Sequence, residues 1–261
     1  MIGSPPPVPP RRSAFHHYGP WVLGLGAILA VAIYELVRRH DITRNEVLFF
    51  VALVPSIILH EISHGLVAYW CGDDTAKRAK RLSLNPLRHV DPVGTILLPI
   101  ILIATVHQAF GWARPVPIDV SKLRHPRNQA VLVGLVGPVT NILIALAAGF
   151  ALRFASNDFS LAVLHSNYVG AWPGGYEFLF LLGEANAILA AFNLIPLPPL
   201  DGSAVLERFV PTRALPSYYR LRSALIILVI FVVLFDQGAL AWLFDWATRL
   251  WTDIIAPGVF G

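Results

Sequence analysis

The chain between Val47 and Tyr69 is apolar for long enough to cross a bilayer as a helix, yet its interior holds His60, Glu61 and His64. No other stretch restricts the fold so tightly. Residues four apart share one face of a helix, so the two imidazoles of H-E-x-x-H point the same way and Glu61 flanks them. A bare ionisable group at mid-bilayer costs roughly 2.5 to 3.5 kcal/mol or more. Three polar side chains within two turns must therefore face protein, water or a metal, and the spacing favours a metal.

Composition extends this constraint to the whole chain. With 56% hydrophobic and 14% charged residues, the sequence is too apolar for an ordinary soluble domain. It reads as an all-α polytopic membrane protein, embedded in a lipid bilayer. Runs of bilayer length fall at Pro20 to Val37, Asn45 to Tyr69, Gln129 to Phe154, Tyr176 to Ile195 and Leu221 to Trp246. A shorter run, Val93 to Phe110, contains Pro99 and is bracketed by turn-forming residues. The expected fold thus has five or six transmembrane helices, with 93–110 as a re-entrant segment. Residues 1–19 are Pro-rich and expected to be a disordered tail, leaving 20–261 as one integral membrane domain. The single cysteine, Cys71, excludes an intrachain disulfide. The net charge of +4 reports basic loops, and no nucleic acid partner is expected.

Charge sidedness orients the bundle. Lys77, Arg78, Lys80, Arg81 and Arg88 follow the H-E-x-x-H helix, so that helix should end in the cytoplasm with the cluster nearer that face. The 111–128 segment is basic as well, which requires Val93 to Phe110 to return to the side it left or to lie against the bundle. Arg38, Arg39 and Arg44 run against the rule. Leu82, Ser83 and Leu84 alternate before Asn85 and Pro86, suggesting either a short membrane-associated β element or a plain polar loop.

A catalytic zinc takes three protein ligands and keeps one position open, so two histidines need a partner. Asp201 is the candidate. It ends the run NLIPLPPLDG, where prolines break a membrane helix, and broken backbone at that depth belongs in protein or beside a wet cavity. The competing role is a helix cap. On the helix from Gln129, the small residues Gly134 and Gly137 permit close packing, and Asn141 is either a donor toward a substrate or an oxyanion, or an interhelical contact. Among the other histidines, His89 stands out for its place in the Asn85 to Asp91 turn.

HEISH at 60–64, GPVTN at 137–141 and NLIPLPPLDG at 193–202, in that order, resemble the site-2 proteases, a family of intramembrane zinc metalloproteases. SLNPLRHVDPVGT and GWARPVPID resemble a compact prokaryotic branch of that family. The resemblance implies that His60, His64 and Asp201 bind Zn2+ and that Glu61 is the catalytic base, with Asn141 and Asn193 as active-site polar residues. It also implies a prokaryotic cell membrane as the location and a transmembrane protein as the substrate. The lengths between motifs leave no room for a PDZ domain or a pair of CBS domains.

The expected reaction is hydrolysis of a peptide bond in or near a membrane span, with Glu61 taking a proton from water made acidic by zinc. The alternative is a membrane protein that binds or transports metal ions through the same cluster. The sequence names neither the substrate nor the oligomeric state.

Overall fold

The computed structural model describes residues 44–91, 94, 113–155, 174–211, 213–221, 224–225 and 237–255. The expected tail at 1–19 and the expected span from Pro20 to Val37 lie outside the described residues, as does Val93 to Phe110 apart from Gly94. Helix α1 covers Arg44–Trp70 and a short α2 covers Thr75–Arg78. Then come α3, Pro126–Ala155, α4, Gly174–Asn193, the short α5, Ser203–Phe209, and α6, Gln237–Ile255.

Three of the described helices are long and apolar enough to cross a membrane: Leu48–Trp70, Pro126–Ala155 and Gly175–Asn193. They match the expected runs from Asn45, Gln129 and Tyr176. Their apolar residues do not all turn inward. Phe50, Val51 and Val54 on α1 and Leu132, Leu143 and Phe150 on α3 are exposed, a pattern suited to lipid and costly in water. The expected run from Leu221 to Trp246 is described only in part, and α6 continues past Trp246 to Ile255.

That extension has a packing reason. Trp251 is 3% exposed and sits with Phe180, Leu152, Ala145 and Ile255 in one buried cluster. A Cβ on Gly183 would lie 2.0 Å from the Trp251 ring, so only glycine lets the indole seat against α4. The indole N–H donates to the Ala145 carbonyl at 2.8 Å, which ties α6 to α3 as well. Meanwhile α1, α3 and α4 pack on one another, and the metal-ligand candidates lie in that packing.

Helix α1 stops cleanly. Gly72 takes a positive φ of 115°, and the Asp73 N–H reaches back to the Ala68 carbonyl at 2.9 Å, while Gly72 N–H bonds Tyr69. Cys71 packs at that helix end against the cluster of Ala68, Leu123 and Val133. Asp73 then accepts from the Thr75 N–H and hydroxyl and from the Asp119 N–H. This clamp joins the end of α1 to an extended strap, residues 113–119.

Among the described residues there is no strand, which corrects the β element considered at Leu82 to Leu84. Local hydrogen bonds claim the backbone there first. Ser83 Oγ accepts the Asn85 N–H, the Ser83 carbonyl accepts from His89 Nε2 at 2.8 Å, and Asn85 caps the 3-10 turn Pro86–Arg88. His89 is therefore a buried clasp: its own carbonyl also receives the Arg114 N–H of the strap at 2.8 Å.

Candidate metal centre

His60 and His64 point off one face of α1 toward α3, and both are buried. They can do so because residue 137 is glycine. A Cβ there would lie 2.4 Å from His64 Nε2 and 2.6 Å from His60 Nε2. The small residue that sequence reasoning assigned to helix packing thus makes room for the two imidazoles.

Asp201 arrives from the broken end of α4. After Asn193 the chain makes a compact turn, with a cis Pro198–Pro199 bond, and closes when the Gly202 N–H donates to the Asn193 carbonyl at 2.7 Å. This return carries the carboxylate onto the histidines. Asp201 Oδ2 is 2.9 Å from His60 Nε2 and 3.4 Å from His64 Nε2, and the two Nε2 atoms are 3.1 Å apart. The cap of α5 is Gly202, with no side-chain hydrogen bond. The Asp201 side chain faces the histidines, not the helix start.

Protonation follows from the partners behind the rings. His64 Nδ1 lies 2.5 Å from the Val133 carbonyl, which can only accept, so this nitrogen carries the proton. For His60 the logic runs through a chain of amides. Asn186 Nδ2 donates to the Leu182 carbonyl and to Ser56 Oγ, whose own proton goes to the Ala52 carbonyl. Asn186 Oδ1 therefore accepts from Asn141 Nδ2 at 2.7 Å, and Asn141 Oδ1 is left to accept from His60 Nδ1. Both Nε2 atoms then present lone pairs, toward each other and toward a carboxylate oxygen.

Such a meeting of two lone pairs and an anion is repulsive unless a cation lies between them. The three ligand atoms all fall within 4.8 Å of one another. A tetrahedral ion with bonds near 2.0–2.1 Å has ligand atoms about 3.3 Å apart, which the observed triangle approaches on every edge. Two nitrogens and one oxygen match the donor set of a catalytic zinc, which keeps its fourth position for water.

Comparison with known proteins agrees with this chemistry. A Bacillus subtilis (strain 168) protein named "Putative zinc metalloprotease YwhC" is 40% identical over 185 residues, covering 70% of this chain and 78% of that protein. The chain belongs to this family of zinc metalloproteases. Another relative, "Putative zinc metalloprotease Rip2" of Mycobacterium tuberculosis (strain ATCC 25618 / H37Rv), is 30% identical over 189 residues, 71% of this chain and 67% of its own length. "Zinc metalloprotease MJ0392" of Methanocaldococcus jannaschii is 25% identical over 158 residues, 60% of this chain and 33% of its own length. No family model and no solved structure matches the chain.

For a zinc metalloprotease, the remaining polar residues have definite places. Glu61 is half-buried beside His60, and its Oε2 accepts the N–H of Val116 on the strap at 2.8 Å. Asn141 is fully buried and engaged with His60 and Asn186, so its amide backs a candidate ligand. Asn193 donates its side chain to the Leu189 carbonyl at 3.0 Å, and its backbone closes the turn that delivers Asp201. Sequence reasoning missed Asn186, Ser56 and the Val116 N–H. The first two carried a usable signal, because a polar side chain inside an apolar span needs a partner.

Proposed function

We propose that this zinc metalloprotease is of the site-2 type and hydrolyses peptide bonds in or near the transmembrane segments of membrane protein substrates. One observation carries the reading: the buried His60 and His64 and the half-buried Asp201, with Glu61 beside them, lie among three helices long and apolar enough to cross a membrane. Its setting would be a cell membrane, with the active site nearer the cytoplasmic face, where the basic loops after α1 belong by the charge rule.

Zinc, when bound, acts as a Lewis acid that makes water acidic near neutral pH and polarises a carbonyl. The chain supplies the rest. His60 and His64 are held in the tautomer that exposes Nε2, so no proton competes for those positions. Glu61 accepts the proton from the attacking water and returns it to the departing amine. The Val116 N–H holds Oε2, which leaves Oε1 to take the proton. A helical substrate hides its carbonyls in its own hydrogen bonds, so it must unwind locally before attack, which favours segments with helix-weakening residues.

The test is Glu61→Gln in the purified, zinc-loaded protein. Cleavage of a single-span substrate should fall by at least a hundredfold, the lower end for loss of a general base, while zinc content stays level. Undiminished cleavage would overturn the assignment, and metal flux in proteoliposomes without proteolysis would point to a transport protein.

A further inference from the structure

Where the loop at 79–90 meets the strap there is a pocket of about 500 Å³, and none of its lining residues belongs to the metal centre. Lys80, Arg81, Arg88 and Arg114 line it, with Pro115 and Pro117 as part of its wall. Four cations in one concavity call for an explanation. Among the described residues none of the four forms an ion pair. Their hydrogen bonds go to backbone carbonyls: Arg88 donates to Lys80 at 2.6 Å, and Arg81 reaches Arg114 and Pro115 at 3.4 and 3.5 Å. The two Arg81 bonds are long, which leaves its charge poorly compensated.

Arg81 is only 8% exposed. Burial first, and the neighbouring Arg114 charge second, push its guanidinium below the ordinary range, and the Glu61 carboxylate offsets only part of this. The stretch from 92 to 112, which joins the loop to the strap, contains no Asp or Glu. No counter-charge comes from there. A concave site lined by one sign of charge focuses a field on its interior, and guanidinium forks fit the oxygens of phosphate.

We infer that this pocket binds a phosphate-bearing anion, with Arg81 in its floor and Lys80, Arg88 and Arg114 around its mouth. Two sources offer that chemistry, the headgroup of an anionic phospholipid and a soluble phosphate compound. Either would bear on the strap, since Arg114 and Pro115 immediately precede the Val116 N–H that holds Glu61.

The experiment uses the full zinc-loaded chain in neutral detergent. One arm is titrated with phosphatidylglycerol and the other with inorganic pyrophosphate, with phosphatidylcholine as the reference lipid. Binding is read by native mass spectrometry and by the shift in melting temperature. At least one of the two anions should bind saturably and more tightly than phosphatidylcholine. The double substitution Lys80→Gln with Arg114→Gln should weaken that binding about 25-fold, at about fivefold per basic residue. Arg88→Gln alone should weaken it about fivefold and serves if the double variant does not fold, with zinc content as the control for an intact site. Binding of phosphatidylglycerol alone assigns the headgroup, and binding of pyrophosphate assigns a soluble phosphate. Failure of both anions to bind, or binding unchanged in the variants, overturns the inference.

Discussion

Replacing Gly137 by alanine puts a methyl group where the imidazoles of two candidate metal ligands, His60 and His64, already lie. The added carbon would stand 2.4 Å from His64 Nε2 and 2.6 Å from His60 Nε2. Carbon and nitrogen not bonded to each other need about 3.5 Å, so each ring must retreat by about 1 Å. Metal–ligand distances tolerate only about 0.2 Å, so both nitrogens leave coordinating range together. Disturbing the partners behind a ligand costs about 10- to 100-fold in metal affinity, and displacing two ligands should cost more than 100-fold. The metal-free fold should lose less, because the overpacking cost of about 1–3 kcal/mol is offset in part by the preference of a helix interior for alanine over glycine, about 0.8–1.0 kcal/mol. The assay is zinc per chain by mass spectrometry with a competing chelator, alongside melting of the metal-free protein. Gly175→Ala is the matched control, since a Cβ there meets nothing within 4 Å. Wild-type zinc affinity in Gly137→Ala would refute the reasoning.

Three further outcomes follow from the same contacts. Asn186→Leu removes the amide that orients Asn141 behind His60, so zinc affinity should drop about 10- to 100-fold in a chelator titration, and unchanged affinity would show that the amide chain positions nothing. Trp251→Ala should destabilise the bundle by about 3–5 kcal/mol through the cavity it leaves, measured by denaturant unfolding in detergent, and a loss under 1 kcal/mol would contradict the packing described for α6. For Asp73, burial works to raise the carboxyl, but the hydrogen bonds from Thr75 and Asp119 outweigh it and hold the group below its ordinary value. A depressed folded-state value stabilises the fold above the unfolded-state value near 3.9, and that stabilisation is lost as pH falls through the folded one. Asp73→Asn should therefore melt lower than wild type at pH 7, and the two curves should converge as the pH drops below 4.

What was legible in the sequence had a period or a break to announce it. His60, Glu61 and His64 declared themselves by helical spacing, and Asp201 by the prolines that end α4 before it. The same features carried the three spans around the site. Asn186 and Ser56 had no such frame: they stand on different apolar helices with no spacing that relates them, and only the folded bundle brings Asn186 to Asn141 and Ser56 to Asn186. The strap was harder still, because nothing in the spacing of Glu61 and Val116 links them. At Leu82 to Leu84 the alternation was too short to decide between strand and loop, and the side chains of Ser83, Asn85 and His89 settled it by bonding the local backbone.

The strap has one more property, which comes from its order of residues. In Pro115–Val116–Pro117 only the middle residue has an N–H, and Glu61 accepts from it. Sliding the segment by one position in either direction would bring a proline opposite the carboxylate and leave it with no donor. Glu61 therefore works as a one-tooth gauge of alignment: a deletion or insertion in this stretch cannot be absorbed by slippage, and any change of length must be taken up elsewhere in the chain.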